Sequence, residues 1–429
     1  FLLNKIPKIG SKMSNTVEKA KNGLKYTIIP GILFEEMGFT YIGPLDGHNI
    51  SELKDNLKKA DRVNGPVIIH VNTVKGKGYK PAEENPSQYH GVGAFEIESG
   101  KAESSKNNLT YSQVFGKTMV KLANKDNDIV GITAAMPKGT GLNIFEKEFP
   151  ERTYDVGIAE QHAVTLSAGL AKGGKNPVVA LYSTFLQRAY DQVIHDVCIQ
   201  NLPVSIAIDR AGIVGNDGET HQGAFDYSFL RTVPNMVVMA PKDENELQHM
   251  LYTSVNHKGP TAVRYPRGEG IGVELDNKLE KISIGKGEVL KEGEDLLLLA
   301  IGSMVKPAEE AAKKLEEKGI SVSVINARYV KPLDEKLIEK YIRKTKNVIT
   351  IEEQALMGGF GSAVLELMEE KNISNCRIKR MGIPDEFVLH GDQDKMRSKY
   401  NLDKEGIVKI SLNFLNERPE VDLWPKKNA

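Results

Sequence analysis

The chain has 429 residues, too many for one ordinary core and enough for roughly three domains. Its 57 basic and 57 acidic residues cancel and the pI lies near 7.3, which argues against a general nucleic-acid or membrane-surface binder but leaves room for a local basic pocket. Cys198 and Cys376 are far apart and form no metal-ligand spacing, which points to a reducing, cytoplasmic setting without structural disulfides. The longest apolar runs, such as "LLLLAI" from Leu296, are strand-sized and far short of a membrane span. "FLLNKIPKIGSK" has its lysines on the wrong side of too short an apolar run for a signal peptide. The chain opens on Phe1 rather than Met, so a fragment or a processed product is expected.

Three regions follow in order. The first, to about residue 105, contains "YIGPLDGHNISELKDNLKKADRVNGPVIIHVNTVKGKGY". It predicts a loop (Gly43 to Asn49), a helix (Ser51 to Ala60) and a buried strand (Val67 to Asn72), with polar loop and linker from Lys75 to Asn108. The second region runs from about Leu109 to Glu280. Ser112 is positioned to cap a helix with Phe115, Met119 and Leu122 on one face. Strands are expected at Ile129–Thr133, Val178–Tyr182, Val204–Asp209, Met236–Ala240 and Ala262–Tyr265, separated by helical segments. Such alternation predicts an α/β fold, a doubly wound, mostly parallel sheet covered on both faces. The third region repeats that grammar from Leu296, after "GKGEVLKEGED", which reads as a linker or an edge hairpin.

Glu160 opens an apolar, small-residue segment with few charges before Arg188, although burial disfavours the charged form of any carboxyl lacking a partner. A surface position at a helix start is the commoner explanation, and a carboxyl kept for chemistry is the alternative. "MGGFGSAV" lacks the third glycine of the dinucleotide fingerprint and reads as a close helix-to-sheet turn. "NTVKGKGY" is not a nucleotide phosphate loop, but Lys75, Lys77 and Tyr79 follow a strand's C-terminal end, where open α/β sheets place ligands. In "YSTFLQRAYDQ", Tyr182 ends a strand, and Phe185 and Arg188 fall three apart on the following helix. In "DRAGIVGNDGETHQGAFD", a glycine-rich loop carries Arg210, Asp217 and His221, and "YPRG" adds Arg267. Three arginines, one histidine and one acid at the strand ends of one sheet favour a site for an anionic substrate.

These motifs, with "GIAEQHAV" and "VRYPRG", resemble the thiamine-diphosphate enzymes of the transketolase family over essentially the whole chain. "YSTFLQRAYDQ" and "AGIVGNDGETHQG" resemble a branch that condenses pyruvate with glyceraldehyde 3-phosphate, releasing carbon dioxide, for isoprenoid, thiamine and pyridoxal synthesis. The resemblance implies successive transketolase-like domains: residues 1–105 as the remnant of a diphosphate-binding domain plus linker, 106–280 as a pyrimidine-binding domain and 281–429 as a C-terminal domain. It gives Glu160 the role of hydrogen-bonding the pyrimidine of the cofactor, with Phe185 stacking on that ring and Tyr79 at the cofactor site. Tyr182, Arg188, Arg210 and Arg267 would bind acceptor phosphate or position the pyruvate-derived group. Asp217 and His221 would contact acceptor hydroxyl and carbonyl groups, His90 would lie near the reacting carbonyl, and Lys75 near the substrate. A homodimer is implied, with no nucleic-acid or membrane partner.

The family's Gly-Asp-Gly motif, which with Mg2+ holds the diphosphate, does not occur in the chain. The expectation is therefore that no metal ligand lies here, and that the N-terminal segment was removed or is a separate polypeptide. The chain alone would then be inactive. Two other readings stay open: the β-type subunit of a 2-oxoacid dehydrogenase, and a non-catalytic assembly fragment.

Overall fold

The computed structural model describes residues 31–86, 88–101 and 108–416. It divides into two compact units, Phe1–Lys106 and Asn107–Ala429. In the first, strand β1 (Thr40–Asp46) pairs in parallel with β2 (Val67–Asn72), joined by the helix Ile50–Ala60. Asn49 caps that helix, its side chain accepting from the Glu52 amide at 3.2 Å. The expectation of a buried β2 is corrected: its residues are half-buried or exposed, because a two-stranded sheet offers too little area to close a core over both faces.

The second unit holds both larger sheets. One contains β3 (Ile129–Thr133), β4 (Thr153–Asp155), β5 (Asn176–Tyr182), β6 (Ser205–Asp209), β7 (Val237–Met239) and β8 (Thr261–Arg264). The other contains β9 (Glu288–Lys291), β10 (Leu296–Ala300), β11 (Val322–Asn326), β13 (Asn347–Ala355) and β14 (Arg377–Ile383). The remaining strand, β12 (Tyr329–Lys331), leaves its neighbours in sequence to join the first sheet, whose order is β12-β7-β8-β6-β5-β3-β4. Every pairing there is parallel except β12 with β7. Every residue of β3, β6 and β8 is buried, as befits central strands of a parallel sheet covered on both faces, even where β6 ends on Asp209 and β8 on Arg264. The other order is β14-β13-β10-β11-β9, with β9 an antiparallel edge strand supplied by "GKGEVLKEGED".

The helix Tyr111–Ala123 buries Phe115, Met119 and Leu122 as expected, but Ser112 is not its cap. Thr110 and Gln113 form a capping box, satisfying two amides reciprocally. Ser112, two residues beyond the cap, points its hydroxyl at Asp209 instead. "MGGFGSAV" is a helix-to-sheet turn: the Glu352 carboxylate accepts the amides of Phe360 at 2.6 Å and Gly361 at 2.8 Å at the start of the helix Phe360–Glu370.

Candidate active site

Glu160 is the first residue of the helix Glu160–Lys172 and is 3% exposed. Small residues at Ala163, Ser167, Ala168 and Ala171 form the buried face of this helix, and Glu160 is buried with them while Gln161 and His162 are exposed. Arg188 Nη1 stands 3.3 Å from Glu160 Oε2, within ion-pair range but off hydrogen-bond geometry, so the buried Oε2 accepts no hydrogen bond. Arg188 itself is 54% exposed, and its guanidinium is available to a ligand. It lies on a 3-10 turn, Gln187–Ala189, that continues the short helix Ser183–Leu186 carrying Phe185. The expected single helix thus changes pitch between the two residues.

Tyr182, at the end of β5, stacks on Phe185 with ring centroids 5.5 Å apart and planes 11° from parallel. The His221 ring meets Phe185 edge-on at 5.3 Å. Burial pushes the Tyr182 phenol up to about 12, against the pull of the nearby Arg210 charge, so it remains a proton donor at neutral pH. Gly139 faces it so closely that a Cβ there would lie 2.1 Å from the Tyr182 hydroxyl.

Arg210 follows β6 in a left-handed conformation, φ 57°, which turns its guanidinium back over the Tyr182 ring at 4.3 Å. Its Nη1 donates to Ser112 Oγ and Asp209 Oδ1, both at 3.0 Å, and to the Gly139 carbonyl. Asp209 is fully buried; burial raises its carboxyl pKa, opposed by the Arg210 charge and the Ser112 hydroxyl 2.7 Å away. Arg267 Nε pairs with Asp217 Oδ2 at 3.0 Å, both partly exposed. Arg210 and Arg267 line a cavity of about 500 Å³ with Lys138, Ser112, Gln113 and Asn143, a cation-rich recess suited to an anionic group.

Within the second unit Glu160 meets Arg188, while Tyr182 joins Phe185, His221 and Arg210, and Arg210 shares its cavity with Arg267, the partner of Asp217. Lys75, Tyr79 and His90 belong to the first unit. There the Lys75 ammonium donates to His90 Nδ1, and Tyr79 donates to the Ile97 carbonyl at 2.7 Å, within an aromatic group with Tyr89 and Phe95. Sequence reasoning missed His48, whose Nε2 accepts the Val74 amide at 2.7 Å and so fixes the loop just before Lys75. It also missed Ser112 and Asp209 as supports of Arg210; the strand-ending aspartate was the available signal. Among the described residues no group of three or more His, Cys, Asp or Glu side chains is placed to hold a metal ion. Among them, too, no helix is long and apolar enough to cross a membrane.

Comparison with known proteins matches residues 107–271 to the transketolase pyrimidine-binding domain and residues 285–407 to the transketolase C-terminal domain. Residues 2–73 match a family model described as 1-deoxy-D-xylulose-5-phosphate synthase. The enzyme of that name from Halothermothrix orenii is 62% identical over 428 residues, covering 100% of this chain and 67% of the relative. That from Heliobacterium modesticaldum is 55% identical, covering 96% of this chain and 63% of the relative. The chain therefore spans about two thirds of the length of these relatives. Among solved structures, a split-gene transketolase described as an inactive β4 tetramer matches with TM-score 0.64 and 32% identity, over 72% of this chain and 99% of that one. Campylobacter jejuni transketolase matches with TM-score 0.60 and 18% identity, over 91% of this chain and 70% of that one, a likeness of fold. Sequence identity across the full chain, the two transketolase domains and the fold agree: the chain belongs to the 1-deoxy-D-xylulose-5-phosphate synthase family of transketolase-type enzymes.

Proposed function

We propose that this chain, acting with a diphosphate-binding segment, condenses pyruvate with D-glyceraldehyde 3-phosphate to 1-deoxy-D-xylulose 5-phosphate and carbon dioxide. The observation that carries the reading is Glu160: a buried carboxylate oxygen that accepts no hydrogen bond, paired with Arg188, which follows by three residues the Phe185 ring stacked on Tyr182. A buried acceptor without a donor is costly unless a ligand supplies one. A flat, nitrogen-bearing ring fits both the vacant acceptor and the aromatic face, so the residues present suit the pyrimidine of thiamine diphosphate. When bound, thiamine diphosphate supplies the carbanion chemistry.

The chain's own residues then divide the work. Glu160 holds and exchanges a proton at the pyrimidine nitrogen, and Phe185 supports the ring. Arg210 and Arg267 take the acceptor phosphate in the cation-rich cavity, with the neighbouring Tyr182 beneath Arg210, and Arg188 holds the pyruvate-derived carboxylate or the same phosphate. Asp217 and His221 contact the acceptor's hydroxyl and carbonyl groups. The proposal assigns Tyr79 to the cofactor, His90 to the reacting carbonyl and Lys75 to the substrate. Mg2+ belongs with the diphosphate, and a homodimer working in the cytoplasm completes the proposal. The split-gene neighbour, described as an inactive β4 tetramer, supports the view that this much chain needs the diphosphate-binding segment for turnover.

The test is carbon dioxide release from pyruvate by the chain combined with that segment, with either glyceraldehyde 3-phosphate or a lipoyl group as acceptor. Release driven by the triose phosphate supports the proposal. Release driven only by the lipoyl acceptor identifies a 2-oxoacid dehydrogenase β chain, and none with either identifies an assembly fragment.

A further inference from the structure

Asp226, the last residue of "DRAGIVGNDGETHQGAFD", and Arg264, in "VRYPRG", form an ion pair to which the candidate site has assigned no role. Asp226 is fully buried and Arg264, from β8, is 4% exposed. Arg264 Nε lies 3.0 Å from Asp226 Oδ1 and 3.1 Å from Oδ2, and its guanidinium covers the Tyr227 ring at 4.2 Å. A buried pair of this kind is weak evidence for stability, because desolvation offsets the attraction. What distinguishes this one is the set of backbone segments it joins.

Asp226 Oδ2 accepts from Ser183 Oγ at 2.9 Å, and Ser183 begins the turn that carries Phe185 and Arg188. Arg264 Nη2 donates to the Gly223 carbonyl at 3.2 Å. Gly223 closes the base of the loop bearing Asp217 and His221 through paired backbone hydrogen bonds with Gly212, each 2.8 Å. The same nitrogen donates to the Glu353 carbonyl at 2.9 Å and to Gln354 Oε1 at 3.2 Å, both on β13 of the other sheet. Turn and loop base also touch directly, since a Cβ on Gly223 would lie 2.8 Å from the Ser183 Cβ.

We propose that Asp226 and Arg264 are positioning residues that fix the pyrimidine-side turn and the acceptor loop relative to each other, anchored on the second sheet. In catalytic terms this rests on the proposed function, since it presumes that the turn and the loop serve one reaction. Both must be held within a fraction of an ångström for two bound reactants to meet.

Arg264→Lys keeps the charge but cannot reach the Asp226, Gly223, Glu353 and Gln354 acceptors together. Hydrogen exchange of the intact chain, read by peptide mass, is the primary test. In Arg264→Lys, amides of residues 183–189 and 211–224 should both exchange about tenfold faster or more, while the helix Val305–Glu316 keeps its protection. Uniform loss of protection, or loss in only one of the two segments, would overturn the positioning role. Ser183→Ala covers the case in which Arg264→Lys fails to fold: it should loosen residues 183–189 alone, and unchanged exchange there would equally overturn it. Kinetics then separate the two ideas. A wild type without carbon dioxide release sinks the functional reading but leaves the exchange pattern standing. In an active enzyme, Ser183→Ala should lower kcat about tenfold with the KM for glyceraldehyde 3-phosphate little changed, and a change in KM alone would overturn the positioning of the turn.

Discussion

Arg210 and Arg267 line one cavity but are held in different ways, and their replacements should differ accordingly. Among the described residues, the ion-pair partner of Arg267 is the partly exposed Asp217, so Arg267 can turn to a ligand. Arg267→Ala is expected to raise the KM for glyceraldehyde 3-phosphate roughly tenfold to a hundredfold, to spare unphosphorylated glyceraldehyde, and to leave the melting temperature almost unchanged. Equal loss with both aldehydes would remove it from phosphate binding. Arg210 carries three hydrogen-bond acceptors on one nitrogen and is the counter-charge of the buried Asp209. Arg210→Ala should therefore also destabilise the second unit, by about 3–5 kcal/mol, because it strands a buried carboxylate. Denaturation of the two variants side by side checks this, and equal stability would contradict the structural half of the assignment. Both arginines were legible in the sequence as cations after strands. Their difference was not, because it depends on Ser112, Asp209 and Gly139, which meet Arg210 only in the folded chain.

At the scale of single elements, strands were readable and helix caps less so. Apolar runs such as "IVGIT" and "VIIHVN" mark their own ends. The choice of Ser112 as a cap failed because Thr110 with Gln113 satisfies two amides where Ser112 would satisfy one. The turn at "MGGFG" was readable as a turn, but its carboxylate was not: Glu352 looks like any strand residue until burial is known. Burial raises its carboxyl to about 7, although the Gly361 and Phe360 amides and the Arg264 and Arg380 charges all pull it down. A carboxyl with a higher pKa folded than unfolded binds its proton more tightly in the folded chain. Its contribution to stability is thus fully present below about 4.5 and is lost as pH rises through 7. The midpoint of urea denaturation should fall between pH 5 and pH 8, and the fall should be smaller in Glu352→Gln. An identical fall in both would show that Glu352 does not carry this pH dependence.

For the molecule as a whole, the regions read from sequence as second and third share one interior. A single core cluster contains Val179 and Ile206 together with Leu297, Leu299, Ile325 and Phe360. Strand β12 crosses between the sheets, and Arg328 beside it pairs with Glu246 at 2.6 Å and Glu288 at 3.0 Å. Residues 107–429 should accordingly unfold in one calorimetric transition, and two resolved transitions would show that the shared core is not cooperative. Composition and alternation revealed two α/β regions but not this fusion, since a three-residue strand has no periodicity to read. On that common scaffold the account rests on one side chain, Glu160, as the proton-exchanging group of a thiamine-diphosphate site. The most direct measurement is hydrogen–deuterium exchange at the thiazolium C2 position in the complete enzyme, wild type against Glu160→Gln. The account predicts exchange slowed on the order of a hundredfold or more with the melting temperature unchanged. Exchange at the wild-type rate in Glu160→Gln would contradict it.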